Sequence, residues 1–148
     1  MSRVQLALNV SNLSKAIEFY SKLFKTGPAK VREGYANFAI ADPPLKLVLI
    51  EGQGEPGSLN HLGVEVETTD LVQDAIAHLQ STGLATDIEE ETTCCYAVQD
   101  KVWVNAPDGE PWEVYTVLAD AEAMRVEETA CCAPDSAQPV SLTSNTSC

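Results

Sequence analysis

Residues 3–10, RVQLALNV, alternate Val4, Leu6, Leu8 and Val10 with Gln5, Ala7 and Asn9, the period of a half-buried β-strand. A helix follows in SNLSKAIEFYSKLFKTGP, with Ser11 and Asn12 as caps. Leu13, Ala16, Ile17, Tyr20, Leu23 and Phe24 fall at helical spacing, and Gly27-Pro28 acts as a stop. YANFAIA and LKLVLIEG then read as two strands joined by a Pro43-Pro44 turn, giving β-α-β-β with room for one more strand. After the breaker-rich GQGEPGSLN the order restarts. HLGVEVE alternates with Leu62, Val64 and Val66 apolar, and TTDLVQDAIAHLQSTG predicts a capped helix ending at Gly83. KVWVNA and PWEVYTVL flank Pro107-Asp108-Gly109, a hairpin signal. Gln5-Leu6-Ala7-Leu8 lines up with His61-Leu62-Gly63-Val64, so the chain reads as a tandem repeat of one small α+β unit, about 2–51 and 59–118, within one domain, 1–118. From Ala119 the pattern fades into Ser, Thr, Ala and Pro with little to bury, which reads as a flexible tail over 119–148 that holds Cys131, Cys132 and Cys148.

Composition agrees with a single globular domain: 148 residues, 45% apolar and 6% aromatic. No charged-then-apolar leader opens the chain, and no apolar run nears the ~18 residues of a spanning helix. A cytoplasmic address with no membrane partner is the expectation. In that reducing compartment the five cysteines read as thiols or soft-metal ligands rather than a bridge framework. Charge is uneven: residues 1–50 carry seven Lys/Arg against three Asp/Glu, and residues 51–148 two against nineteen. A chain with net charge −13 is a poor match for nucleic acid, and its acidic half reads first as a solvated face. The opposite signs of the two halves hint at a homodimer.

Two groups of residues carry candidate chemistry. Gln5 and His61 occupy equivalent positions in equivalent strands, opposite the apolar row, and Glu113 faces away from Trp112 and Val114 in a late strand of the second unit. Imidazole nitrogen, carboxylate and amide oxygen together form a facial set for a divalent first-row metal with coordination positions left open. A lone histidine after a loop is more often a hydrogen-bonded core or surface group, and a strand glutamate is usually solvated; the paired placement in the repeat singles these out. The second group is Cys94-Cys95 in the polar run EEETTCCYAVQD. A bridge between neighbours distorts the intervening peptide, so the pair reads as free thiols or a ligand. Its spacing does not fit a structural zinc knuckle, which needs Cys-x2-4-Cys.

Two βαβββ units, a donor in the first strand of each, NHLGVEV opening the second and APDGEPWEVY closing it resemble the vicinal oxygen chelate superfamily, which includes glyoxalase I, extradiol dioxygenases and bleomycin-resistance proteins. Adjacent cysteines in the loop EEETTCCYAVQDKVWVNAPDG and a cysteine-bearing tail resemble, more narrowly, the carbon-arsenic lyases of arsenic-resistance operons (ArsI type) and the related cadmium-induced proteins. The resemblance implies tandem βαβββ units forming a curved mixed sheet around a concave metal site. It implies Gln5, His61 and Glu113 as metal ligands, and Cys94 and Cys95 as the thiols that hold a trivalent organoarsenical. Cys131 and Cys132 become candidates for arsenical capture in the tail. The implied cofactor is iron, Fe(II), with dioxygen as co-substrate, although Ni, Co or Zn can occupy such a site; zinc has no redox chemistry. Gln5 departs from the extradiol pattern, which has His there.

The implied reaction is cleavage of trivalent organoarsenicals, methylarsonous acid or aromatic arsenicals, to inorganic arsenite. A soft arsenic centre with two exchangeable positions suits two neighbouring thiolates. The alternatives are a glyoxalase-like or extradiol enzyme and a non-catalytic arsenic- or cadmium-binding protein. Glyoxalase I needs a carboxylate in the first unit matching Glu113, and counting along LKLVLIEG places Leu47 near that position.

Overall fold

The computed structural model describes residues 1–124. The first unit runs β1 (Arg3–Val10), α1 (Leu13–Phe24), β2 (Lys30–Arg32), β3 (Tyr35–Ile40) and β4 (Leu45–Glu51). The second repeats that order with β5 (Leu59–Glu65), α2 (Thr69–Ser81), β6 (Asp87–Cys94), β7 (Ala97–Asn105) and β8 (Pro111–Asp120). All eight strands join one curled mixed sheet in the order β2-β3-β4-β1-β5-β8-β7-β6. β1 and β5 pair antiparallel at its centre, and each pairs in parallel with the last strand of its own unit, β4 or β8. The expected fold class is therefore the one found.

Local chemistry explains the elements. Asn12 caps α1 by accepting from the Lys15 N–H at 2.9 Å, and Thr68 does the same for α2. Leu13, Ala16, Ile17, Tyr20 and Phe24 pack α1 on Leu6, Leu8, Leu47 and Leu49, while Leu23 stays exposed. Val72, Ile76 and Leu79 seat α2 on Val102 and Val114. Fully burying each such side chain contributes about 1.5–3 kcal/mol. On β1 the polar row is the more buried of the two: Gln5, Ala7 and Asn9 are buried, whereas Leu6, Leu8 and Val10 are only partly so. The curl of the sheet encloses its concave surface, so the face opposite the helices becomes interior as well.

Two sequence expectations change. The cysteine pair lies at a tight hairpin instead of in a loop: β6 ends at Cys94, β7 begins at Ala97, and these two residues pair. Cys95 and Tyr96 form the connection with φ of 55° and 60°, the left-handed pair of a type I′ turn. Non-glycine residues hold that conformation only when their surroundings impose it. The Cys95 N–H donates to Met124 O (2.8 Å), and Tyr96 O accepts from the Ala121 N–H (3.0 Å) and from Lys30 Nζ (3.0 Å). The Tyr96 hydroxyl donates to Glu33 O (3.0 Å). The second change concerns Leu47, which faces α1. Ala7 pairs with Val48 as Gly63 pairs with Glu113, so Val48 is the counterpart of Glu113 in the first unit.

Candidate active site

The concave face gathers the polar residues that strand alternation turns inward: Arg3, Gln5 and Asn9 of β1, Lys46 of β4, His61 and Glu65 of β5, Lys101 of β7, and Glu113 and Tyr115 of β8. Gln5, His61 and Glu113 come together at its centre, with 4%, 1% and 3% of their surfaces exposed. Gln5 Nε2 is 2.9 Å from His61 Nε2 and donates to Glu113 Oε1 at 2.7 Å; His61 Nε2 lies 3.3 Å from the same oxygen. The donors come from both units of one chain, so the cluster needs no second copy to complete it.

Each member is held from behind. His61 Nδ1 is 2.7 Å from Asn60 Oδ1, which places the ring proton on Nδ1 and leaves Nε2 with its lone pair toward the centre; Asn60 in turn donates to Asn9 Oδ1 at 2.9 Å. Trp103 packs edge-on to the imidazole, with ring centroids 5.4 Å apart. Lys101 donates to Glu113 Oε2 at 2.7 Å. Burial by itself would raise the Glu113 pKa, but the Lys101 ammonium outweighs it and holds the group below the usual carboxylate range, so it is ionised at physiological pH. Burial likewise works against the charge on Lys101; Glu113, joined by Cys94 and Cys95 when they are thiolates, more than offsets it and keeps the ammonium above the usual lysine range. The same cation lies over the rings of Trp103 and Tyr115.

Gly63 makes this convergence sterically feasible. A Cβ there would lie 3.1 Å from Glu113 Cγ and 3.3 Å from both Cβ and Nε2 of Gln5. Gly63→Ala is expected to leave the fold intact and to lower divalent-metal affinity by about tenfold or more, as loss of a supporting contact does. Titration of the folded variant with Mn(II) is the check, and wild-type affinity would show that the two side chains have room to spare.

Cys94 and Cys95 share this concave side. Cys94 is fully buried against Ala7, Tyr35, Val48 and Ile50, Cys95 is half-buried beside Met124, and their sulfurs are 3.1 Å apart. One atom can bridge two sulfurs at that separation. Ala7 is the next concave-face residue of β1 after Gln5, so thiols and donor cluster lie on the same face of the sheet. Cys131, Cys132 and Cys148 lie outside the described residues. Sequence reasoning missed Lys101, Tyr115, Glu65 and Asn60. The available signal was parity, since Lys101 alternates with Val102 as Glu113 does with Val114.

One imidazole nitrogen, one carboxylate and one amide, buried and within 3.3 Å of one another, fit a six-coordinate divalent metal with open positions. Zinc in a closed structural site would require a fourth protein ligand, and the position where glyoxalase chemistry would put it is Val48.

A curled sheet of two βαβββ units, with donors on its first, fifth and eighth strands, defines a vicinal oxygen chelate protein. The chain belongs to the Glyoxalase/Bleomycin resistance protein/Dioxygenase superfamily, whose family model matches residues 3–114. It is 64% identical over 136 residues, 90% of each chain, to a trivalent organoarsenical cleaving enzyme of Thermomonospora curvata. It is also 66% identical over 122 residues, 82% of this chain and 80% of the other, to the cadmium-induced protein CadI of Mycobacterium bovis. An extradiol ring-cleaving dioxygenase from B. fuscum superposes with a TM-score of 0.58 at 23% identity, over 81% of this chain and 34% of that one, which shows the fold alone. Among the described residues, no helix is long and apolar enough to cross a membrane.

Proposed function

We propose that the protein is a carbon-arsenic lyase that uses iron(II) and dioxygen to release inorganic arsenite from trivalent organoarsenicals. The observation that carries this reading is the neighbouring thiol pair, sulfurs 3.1 Å apart, on the same concave surface as Gln5, His61 and Glu113. The relative named as a trivalent organoarsenical cleaving enzyme supports it. Gln5 Oε1, His61 Nε2 and Glu113 Oε1 would hold the metal, and bound iron(II) would supply the one-electron chemistry that dioxygen requires and zinc lacks.

The chain's own residues do the rest. Cys94 and Cys95 occupy the two exchangeable positions of arsenic and leave its carbon substituent free, which turns an encounter into an oriented complex. Lys101 bonds Glu113 on the same concave side as both cysteines, and its ammonium favours the thiolate forms that arsenic needs. Tyr35 and Tyr96, ring centroids 5.5 Å apart, wall the thiol side with aromatic surface.

The second reading is sequestration of soft ions by the same cysteines; the cadmium-induced relative keeps it in play. Incubating reduced, iron-loaded protein with methylarsonous acid separates the two. Under air, arsenite should appear together with dioxygen uptake, and neither should occur under argon. Methylarsonous acid that stays bound and intact under air would reject the lyase and leave sequestration.

A further inference from the structure

We propose that Tyr115 and Glu65 set which end of the Gln5 amide faces His61 and Glu113, and that metal loading turns this amide over. The inference rests on the metal-site reading above. As the side chain stands, its nitrogen is the end aimed at His61 Nε2 and Glu113 Oε1, while its oxygen accepts from the Tyr115 hydroxyl. An amide nitrogen has no lone pair to give a metal, so the end facing the cluster centre is the wrong one for ligation.

Hydrogen-bond accounting shows why two orientations exist. The Tyr115 hydroxyl carries one hydrogen but faces two acceptors, Gln5 Oε1 and Glu65 Oε2, the latter at 2.9 Å. Glu65 Oε2 also accepts from Lys46, so it is satisfied with or without that hydrogen. Both amide orientations are therefore open to Tyr115: with the amide turned over, Gln5 Nε2 donates to the Tyr115 oxygen, the Tyr115 hydrogen goes to Glu65, and Gln5 Oε1 faces the cluster. Without a cation that arrangement would set three acceptors, the amide oxygen, Glu113 Oε1 and His61 Nε2, against one another. Nitrogen inward suits these three groups by themselves; oxygen inward suits them around a cation.

The acceptor that permits the reversal is fixed in place. Glu65 takes Lys46 at 2.9 Å and Arg3 at 2.8 Å, which hold its carboxylate ionised despite half-burial. The Tyr115 hydroxyl lies within hydrogen-bond reach of both Gln5 Oε1 and Glu65 Oε2, so it can donate to either. Tyr115 and Glu65 touch neither metal nor substrate and act through Gln5, which makes them positioning residues.

The test is a double-mutant cycle read as Mn(II) affinity, from the electron paramagnetic resonance signal of free Mn(II), an ion that avoids thiolates. Tyr115→Phe should weaken Mn(II) binding by about tenfold or more, the usual cost of losing an outer partner of a ligand. In a Gln5→Glu background the two carboxylate oxygens are equivalent and there is no end to choose, so the same Tyr115→Phe change should cost less than about threefold. A purely structural tyrosine would cost the same in both backgrounds, and that result overturns the inference. Equal affinity of wild type and Tyr115→Phe also overturns it, provided that His61→Ala abolishes binding. Should His61→Ala bind Mn(II) like wild type, the metal-site reading falls instead, and this inference with it. Glu65→Gln, which keeps the size of the acceptor and removes its charge, repeats the cycle if Tyr115→Phe fails to fold.

Discussion

Replacing His61 with alanine is expected to lower iron(II) affinity by more than the roughly 10–100-fold that the loss of an outer-shell partner costs, and to abolish turnover. Among the described residues, the imidazole is the only nitrogen lone pair at the cluster centre, and Asn60 holds its ring in the tautomer that presents that lone pair. What remains is one carboxylate and one neutral amide, a set too poor in donors for a first-row metal. His61→Ala is a cleaner probe than Glu113→Ala. Removing Glu113 strands the buried Lys101 ammonium without its partner, which destabilises a fold by roughly 3–5 kcal/mol and confuses loss of metal with loss of structure. Gln5→His, in contrast, should retain or tighten binding, because imidazole is the stronger donor. Calorimetric titration with iron(II) under argon reads all three variants; unchanged affinity in His61→Ala removes the site.

A comparable loss is expected at the thiols, with the opposite selectivity. Cys95→Ser should remove nearly all affinity for a trivalent organoarsenical and leave metal binding as it was, since a single thiolate forfeits the effective concentration that the second supplies. Cys94→Ser should do the same. It will also cost some stability, because Cys94 is fully buried in an apolar cluster where a hydroxyl needs a partner. The half-buried Cys95 is therefore the better single test. Trp103, packed against His61, can report arsenical binding by fluorescence in metal-free protein. Wild-type arsenical affinity in the double Cys94→Ser, Cys95→Ser protein would leave an oxygenase of different substrate as the better account. Loss of both arsenical and metal binding would place a cysteine among the metal ligands.

Strand alternation was enough to expose both units and the inward parity of Gln5, His61 and Glu113, because parity is a local property of each strand. The β6–β7 hairpin was hidden for the opposite reason. Its turn has no Asn-Gly or Asp-Gly signature; Cys95 and Tyr96 are held at positive φ by Lys30, Glu33, Ala121 and Met124, partners 25 to 66 residues away in sequence. The acidic run disguised β6 further, since a bulge between Glu89 and Thr92, with the Glu91 N–H tied to Asp100 at 2.8 Å, breaks the alternation a strand would show. Leu47 in place of Val48 was a slip of one residue, and with a period of two such a slip moves a side chain to the other face. Lys101 and Tyr115 went unnoticed because their role lies in pairings across strands, which no single stretch of sequence displays.

The order in which the donors occur along the chain has a consequence for biosynthesis. Gln5 is made at the start, His61 near the middle and Glu113 last, 108 residues after the first, with β8 slotting between β5 and β7. A nascent chain that has completed only its first unit can fold local hairpins and a helix, but it holds one amide and no second donor. On the proposed metal-site reading, capacity to capture a metal would therefore arrive late and all at once, with the insertion of the last strand, β8, between β5 and β7. Non-local pairings of this kind slow folding. On the same reading, an unfinished or partly unfolded copy would present no competent trap for iron, and ion uptake would stabilise only the finished product.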